Sequence, residues 1–300
     1  MPYDPSDARS TMPTMPSRVA PGTAFSPAEY VRFYAEPPVT EEERRRTWYA
    51  RGQHFVVEYS EIDGEVLLER EGHPDEYMLI MPDADTSAEA RTADEAVRAP
   101  GRSLVVIPPG DSTLTVRGTG RVIRLFSSRA TDLALLASNA ASYREEHLNL
   151  APLEYWPEPV DGFRVRVYDL SVPTLQSPPF RLYRSTNLMV NFFDPSDGPR
   201  DTERLSPHSH DDFEQCSLVL AGEFVHHIRW PWTTRLDAWR DDEHELCAAP
   251  SVTVIPAQAV HTSQGIASGQ NQLIDIFAPP RADFSAKDGW VLNADDYPVA

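Results

Sequence analysis

The stretch PHSHDDFEQCSLVLAG, residues 207–222, places two histidines and a glutamate directly before an apolar run. His208 and His210 are two residues apart, so in an extended segment both imidazoles point to the same face, roughly 6.6 Å apart along the chain. Both side chains can therefore reach one ion. Glu214 has the same parity, but four extended residues span about 13 Å. It can share that ion only if the chain bends after His210, where two aspartates favour a turn.

Histidines concentrate in this part of the chain: six of the nine lie between positions 208 and 261. Glu214 opens the apolar run EQCSLVL, and a carboxylate that faces a barrel core is costly unless it is paired or bound to a metal. His261 follows the run SVTVIPAQAV, again after a proline. Three imidazoles and one carboxylate form a donor set that suits Fe, Mn, Ni, Co or Zn.

These residues resemble the two motifs of the cupin superfamily. The first motif has a Gly, then H-x-H, three or four residues, a Glu and a later Gly, and the second places a His five residues after a proline. Residues 207–222 match the first motif, and PAQAVH, residues 256–261, matches the second. The resemblance implies an RmlC-like cupin barrel that binds one divalent transition metal. Its implied ligands are His208, His210, Glu214 and His261.

The sequence departs from the cupin motifs at turn positions rather than at the ligands. Thr202 stands where the leading Gly is usual, and Gly222 comes one residue late. In the second motif Pro250, Gln258 and Gly265 replace the usual Gly, Gly and Asn. We expect these changes to alter loop conformations and to leave the ligand set in place.

The rest of the chain follows a β pattern in both halves. Residues 52–128 contain short apolar or alternating runs such as HFVVEYS, EYMLIM and SLVVIPP, each bounded by Gly, Pro or Asp, which is typical of an antiparallel sandwich or barrel. An apolar run closed by proline recurs as VVIPPG, residues 105–110, and VTVIPA, residues 252–257. With the resemblance, this repeat predicts an all-β fold of tandem cupin double-stranded β-helix (jelly-roll) barrels with a few short helices.

We predict four segments. Residues 1–25 form a flexible N-terminal arm, 26–150 an N-terminal cupin barrel, 151–162 a Pro-rich linker and 163–300 the C-terminal metal-binding barrel.

Short helices are expected at three places in the N-terminal half. Ser26 begins an N-cap pattern, Thr40 begins a capping box before Arg44–Trp48, and Thr131–Glu146 carries apolar residues on one face.

The N-terminal barrel matches the ligand pattern at only one position. The cupin alignment places Glu76 at the carboxylate, but Arg70 and Gly72 replace the paired histidines and Thr113 replaces the second-motif histidine. We therefore expect a degenerate metal site and a structural role for this barrel. His73 is expected to be a surface turn residue.

Two candidate catalytic residues lie outside the ligand set. Asp275 in QLIDIF shares a face with Leu273 and Phe277, where a buried acid could orient a metal-bound histidine or act as a base. An outward-facing position is the alternative. His226 is the second candidate. It is adjacent to His227 on a strand, so only one of the two can enter the barrel, and either could instead be a packing histidine. The segment HIRWPWTT, residues 227–234, suits a pocket rim, with structural packing as the alternative.

Composition limits the possible partners. The net charge is 27 − 46 = −19, which disfavours nucleic acids and anionic membranes. Two cysteines, Cys216 and Cys247, are too few for a disulfide framework and are expected to pack as small hydrophobes. We expect a soluble, cytoplasmic protein that forms a homodimer and binds a small-molecule substrate.

The predicted site allows several functions. With a metal acting as a Lewis acid, a chelating, oxygen-rich metabolite could undergo proton transfer of the isomerase or lyase type. With Fe(II), a diol or keto substrate could instead react with O₂ in a dioxygenase. The third possibility is a non-catalytic cupin that binds a small molecule.

Overall fold

The computed structural model describes residues 25–173 and 181–299, and the predicted arm lies outside this range except for Phe25. Regular structure is almost entirely antiparallel β, which confirms the predicted fold class. Among the residues described, none of the helices has the length and apolar character that a bilayer crossing needs.

Strands follow one another along most of the described chain, and the helices between them are short. The strands of the N-terminal half are β1 (Glu29–Val31), β2 (Thr40–Glu42), β3 (Arg45–Arg51), β4 (Phe55–His73), β5 (Tyr77–Met81), β6 (Thr86–Arg91), β7 (Ala96–Pro100), β8 (Ser103–Ile107) and β9 (Gly110–Ser127). Those of the C-terminal half are β10 (Arg166–Asp169), β11 (Leu182–Arg184), β12 (Met189–Phe192), β13 (Ser196–Asp197), β14 (Gln215–Ala221), β15 (Glu223–Arg229), β16 (Glu243–Ala248), β17 (Ser251–Ile255), β18 (Val260–Gly265) and β19 (Gln270–Phe277). The α-helices are α1 (Thr131–Ala134) and α2 (Ala282–Ser285), and single 3-10 turns span Phe33–Ala35, Ala140–Tyr143 and Leu236–Ala238.

The two halves exchange strands. The N-terminal sheet runs β10-β8-β5-β9-β4-β3-β2, with β6 and β7 attached beside β9. The C-terminal half has a sheet of order β1-β17-β14-β19-β12-β11 and a smaller sheet of order β16-β15-β18. Thus β10 pairs with β8, and β1 pairs with β17. The two repeated apolar runs overlap β8 and β17, so each repeat pairs with the strand that comes from the other half.

A shared apolar core joins the halves. Alternate residues of β14, including Cys216 and Leu218, point towards the N-terminal sheet and are fully buried. They belong to one cluster with Val57, Tyr59, Met78, Ile80, Leu104, Val106, Ile123, Leu125, Val190, Val252, Val254, Ile274 and Ile276. The second cysteine, Cys247, is also buried, and both thiols are free, as predicted.

The paired strands β4 and β9 run through most of the N-terminal barrel, and two glycines lie opposite each other in this pair. Gly64 pairs with Gly118, and their φ angles are +114° and +110°. A Cβ atom at Gly118 would lie 1.9 Å from the Asp85 carbonyl oxygen. Glycine is required there because the backbones approach too closely for a side chain.

Two predicted helices are wrong. The segment after Ser26 forms β1 and a 3-10 turn, and the segment from Thr40 forms the hairpin of β2 and β3. The capping patterns are local signals, whereas β1 gains pairing with β17 and β3 pairs with β4 along its whole length. Tertiary pairing therefore overrides the local preference.

The helix predicted over Thr131–Glu146 is much shorter. It ends after α1, and a 3-10 turn follows at Ala140–Tyr143. Asn139 explains the break, because its side chain accepts a hydrogen bond from the Arg51 N–H at 3.0 Å and donates one to the Arg51 carbonyl at 2.8 Å. These bonds fix the chain to the end of β3 instead of allowing a continuous helix.

The prediction that His73 is a surface turn residue is wrong, because its side chain is buried in the N-terminal barrel. Its ring contacts Tyr77 and Phe126, with centroids 5.3 Å apart in each case, and its Nε2 lies 3.3 Å from Asp75 Oδ1. The long strand β4 continues to His73 rather than turning at the preceding glycine.

Glu76, at the position aligned with the cupin carboxylate, faces the other half of the chain. Its carboxylate accepts hydrogen bonds from the Thr186 N–H and hydroxyl, at 3.0 and 2.9 Å, and from Tyr297 at 2.8 Å.

Candidate metal centre

Three histidines converge inside the C-terminal barrel. His208, His210 and His261 are buried, and their candidate ligand atoms lie within 4.8 Å of one another. His208 and His261 also form a backbone bridge, with N···O distances of 3.0 and 2.7 Å. The two sequence motifs thus meet at one bridge, and the structure brings together all three predicted histidines.

Backbone carbonyls orient two of these rings for metal binding. His208 Nδ1–H donates to the Ser206 carbonyl at 2.9 Å, and His261 Nδ1–H donates to the Ala259 carbonyl at 3.0 Å. In each ring Nε2 then carries the lone pair, which is the form that a metal requires. Burial, together with the charges of Arg281 and the other two imidazoles, lowers the pKa of His210 well below its usual value. The third ring is therefore also neutral at pH 7.

A glutamine side chain completes the polar floor of this site. His210 Nε2–H donates to Gln215 Oε1 at 2.8 Å, and Gln215 Nε2–H donates to Asp275 Oδ1 at 2.9 Å. Ser217 donates to the same carboxylate oxygen at 2.7 Å. A carboxylate can only accept, so the amide nitrogen must face Asp275 and the amide oxygen must face the histidines. Asp275 therefore holds Gln215 in the orientation of a ligand.

Glu214 points the other way, towards the N-terminal barrel. Its Oε2 accepts the Gln53 N–H at 2.7 Å, and its Oε1 lies 3.4 Å from the Tyr143 hydroxyl and 3.6 Å from His147 Nδ1. It is buried but does not belong to the cluster of converging ligand atoms. The structure thus brings together three of the four implied ligands and places the Gln215 amide, not the Glu214 carboxylate, beside them.

Strand alternation explains why Gln215, rather than Glu214, faces the histidines. The chain bends between His210 and Glu214, so the parity of the two histidines does not carry into β14, which begins at Gln215. Within β14 the odd-numbered side chains face the barrel interior and the even-numbered ones face the inter-barrel core. The cupin motif allows three or four residues between the second histidine and the fourth ligand, and a count of four gives Gln215. The sequence therefore contained a signal for this residue.

The turn of the second motif uses an unusual residue. Gln258 occupies the usual glycine position and has a φ of +69°. Its N–H donates to the His210 carbonyl at 2.5 Å, which links the two motifs a second time. The left-handed backbone costs about 1–2 kcal/mol for a residue with a Cβ atom. The turn thus forms without glycine, and the contact with the His210 carbonyl accompanies it.

A cavity of about 410 Å³ opens beside His208 and His261. His208, His261, Gln215 and Asp275 form its polar floor. Its wall includes the apolar side chains of Phe193, Phe224 and Leu273 and the polar groups of Asp194, Ser196, Asp197, Arg200, Ser206, Thr262, Ser263 and Asn271. Of the two positions considered for Asp275, the structure has the one that lines the cavity, beside Gln215, and not the outward-facing one. The volume is suited to a small metabolite.

His226 lies deeper, and the residues that line the cavity include Phe224 and Ser263 but not His226. Its Nδ1 lies 2.9 Å from the Ser263 hydroxyl oxygen, and the side chain is fully buried. Burial, with a smaller contribution from the charge of His261, lowers the pKa of His226 to about 3. An imidazole with this pKa is a weak base at neutral pH.

The predicted rim segment HIRWPWTT lies away from the cavity lining. Trp230 is buried and donates its indole N–H to Glu243 at 3.0 Å. Trp232 is exposed and stacks on Trp239 with a centroid distance of 4.4 Å. Arg229 pairs with Asp242 on the surface. These contacts fit the alternative of structural packing rather than a gate.

Solved structures share this arrangement of barrels. AerE from Microcystis aeruginosa matches with a TM-score of 0.54 and 11% identity, over 86% of this chain and 99% of that chain. Bacillus subtilis oxalate decarboxylase, in a structure described for its Mn(II) centres, matches with a TM-score of 0.56 and 11% identity, over 91% and 80% of the two chains. The chain has the cupin fold. A vicilin from Solanum melongena, described with anionic ligands in structurally similar pockets, also matches, with a TM-score of 0.56 and 11% identity over 83% of this chain and 84% of that chain.

No protein-family model matches the chain, and no curated protein matches it. At 11% identity the structural neighbours establish the cupin fold alone.

Proposed function

We propose that this bicupin chain is a metal-dependent enzyme that acts on a small, oxygen-rich metabolite. The observation that carries the proposal is the convergence of three buried imidazoles, two of which, His208 and His261, line the floor of a cavity. Fe, Mn, Ni, Co or Zn would be held by His208, His210 and His261. Gln215 is proposed as the fourth ligand in place of Glu214, because its amide oxygen faces the histidines.

The donor set fits such an ion. Two Nδ1–H groups are bound to backbone carbonyls, which leaves the Nε2 lone pairs of His208 and His261 for the metal. Burial keeps His210 neutral. Its Nε2 proton, which Gln215 Oε1 accepts, would move to Nδ1 on metal binding, so that Nε2 and the amide oxygen could both bind the ion. A bound ion would act as a Lewis acid that polarises a carbonyl or hydroxyl oxygen of the substrate.

Within this site we assign the proton-transfer role to Asp275. Its carboxylate lines the cavity and is held by Gln215 and Ser217 at 2.9 and 2.7 Å. It can accept a proton from a carbon next to the polarised carbonyl and return it to a neighbouring atom. This arrangement supports isomerase or lyase chemistry.

The test begins with metal analysis of the purified protein by inductively coupled plasma mass spectrometry. Near-stoichiometric metal in the wild type, lost in His208→Ala, supports the proposed site. No metal in fresh wild-type protein, and no uptake on reconstitution, would contradict it.

The reaction class is tested by exchange of substrate protons with D₂O, followed by NMR, on a panel of hydroxy-ketones and 2-oxo acids. Deuterium incorporation by the wild type, lost in Asp275→Asn while metal is retained, supports proton transfer. Iron at the site with O₂ consumption by the same panel would favour the dioxygenase instead. Metal retention with neither reaction would leave the non-catalytic binder.

A further inference from the structure

A second histidine pair lies on the outer surface of the C-terminal barrel. His227 on β15 and His244 on β16 are directly opposite each other in the register of the small sheet. Their Nδ1 atoms are only 2.7 Å apart. His226, next to His227, points into the barrel and is fully buried, so the pair faces outwards by strand alternation. The pair is therefore separate from the cavity and from the three interior histidines.

A neighbouring side chain fixes the protonation of one ring. Gln264 on β18 accepts a hydrogen bond from His227 Nε2–H at 3.1 Å. With the proton on Nε2, His227 Nδ1 carries a lone pair, and this lone pair accepts a hydrogen bond from His244 Nδ1–H at 2.7 Å. Hydrogen bonding of the far ring nitrogen is the usual way in which proteins orient a histidine for metal binding.

The separation of the two nitrogens suits one particular geometry. With metal–nitrogen bonds of about 2.0–2.1 Å, two imidazoles on one ion are about 2.9 Å apart at a right angle and about 3.3 Å apart at the tetrahedral angle. The observed 2.7 Å is nearer to the right angle, which is typical of square-planar Cu(II) or Ni(II). Cu(II) also has the highest affinity in the divalent series.

We propose that His227 and His244 form a second metal site, on the barrel surface, which binds Cu(II) through their Nδ1 atoms. His244 is exposed, so when the ion binds, its proton moves from Nδ1 to Nε2, where water accepts the hydrogen bond. Water completes the coordination. Arg229, two residues after His227 on β15, is paired with Asp242 at 2.6 Å, which reduces its repulsion of the ion. The net charge of −19 favours cations near the surface.

The test uses Cu²⁺ alone and the full chain with His208→Ala, which disables the interior site. Isothermal titration calorimetry should show one Cu²⁺ per chain, and electron paramagnetic resonance should show two coordinated nitrogens. Adding His244→Ala should lower the Cu²⁺ affinity at least tenfold and remove the two-nitrogen signature. Leu246→Ala, at an exposed position on the same face of β16, is the matched control and should leave both unchanged.

Gln264 gives a second, independent readout. Gln264→Leu should weaken Cu²⁺ binding about tenfold, because the tautomer of His227 is no longer fixed, and Gln264→Glu should restore or strengthen it. Affinity and spectrum that are unchanged by His244→Ala would overturn the proposal. A thermal melt of each variant shows whether the fold is retained. The Cu²⁺ titrations are independent of the interior site, because they use His208→Ala chains. The metal of the interior site is measured separately in chains with an intact His208.

Discussion

Glu214→Ala tests whether the Glu214 carboxylate is a metal ligand or a hydrogen-bond acceptor that stabilises the fold. In the structure its carboxylate accepts the Gln53 N–H at 2.7 Å and lies on the inter-barrel side of β14. We therefore expect the variant to lose stability and to keep its metal. If the carboxylate were a ligand, as the cupin motif implies, the variant would instead lose metal.

The expected loss of stability can be estimated from these contacts. The substitution leaves the Gln53 N–H without an acceptor, which costs about 1–3 kcal/mol for a buried donor. It also removes one buried methylene group, at about 0.8 kcal/mol. The free energy of unfolding should thus fall by about 2–4 kcal/mol. Glu214→Gln keeps an oxygen at the same place and should recover most of this loss.

The assay measures two quantities on the same preparations. Urea unfolding of the metal-free protein gives the stability, and mass spectrometry gives the metal per chain. Gln215→Leu is the matched comparison, because it removes the amide oxygen that faces the histidines, and we expect it to lower metal affinity at least tenfold. Loss of metal in Glu214→Ala with unchanged stability, and retention of metal in Gln215→Leu, would refute this assignment.

Three further predictions concern stability and are measured by denaturant unfolding. Gly118→Ala should cost about 3 kcal/mol or more, since its Cβ would lie 1.9 Å from the Asp85 carbonyl oxygen at a φ of +110°, and a loss below about 1 kcal/mol would contradict this close approach. Glu58→Ala should cost about 3–5 kcal/mol because it leaves the buried Arg124, bound at 2.7 Å, without a counter-charge, and adding Arg124→Met should recover much of the loss. Burial raises the pKa of Asp83, but hydrogen bonds from its arginine partner outweigh this and hold the pKa below its usual value. The stability that this carboxylate contributes is therefore present above its unfolded pKa of about 3.9, and the difference between wild type and Asp83→Asn should shrink from pH 5 to pH 3.

Sequence alone was sufficient for the fold class and for most of the candidate centre. Alternating apolar runs closed by Gly and Pro require a half-buried β surface, whatever the exact pairing, and the structure is all-β. His208 and His210 could be paired by their spacing of two residues, whereas His261 was joined to them through the resemblance to the cupin motifs. These signals are local, so they can be read without knowing the tertiary structure.

The tertiary structure decided which residues face the site. A bend of a few residues shifts strand parity by one, and this shift sends Glu214 to the inter-barrel core and Gln215 to the histidines. Local patterns could not show that the segments after Ser26 and Thr40 gain more from pairing with distant strands than from forming helices. Sequence determined which side chains are available for chemistry. Long-range pairing decided where they point, because side-chain direction in a strand depends on register, and register is set by contacts far away in the chain.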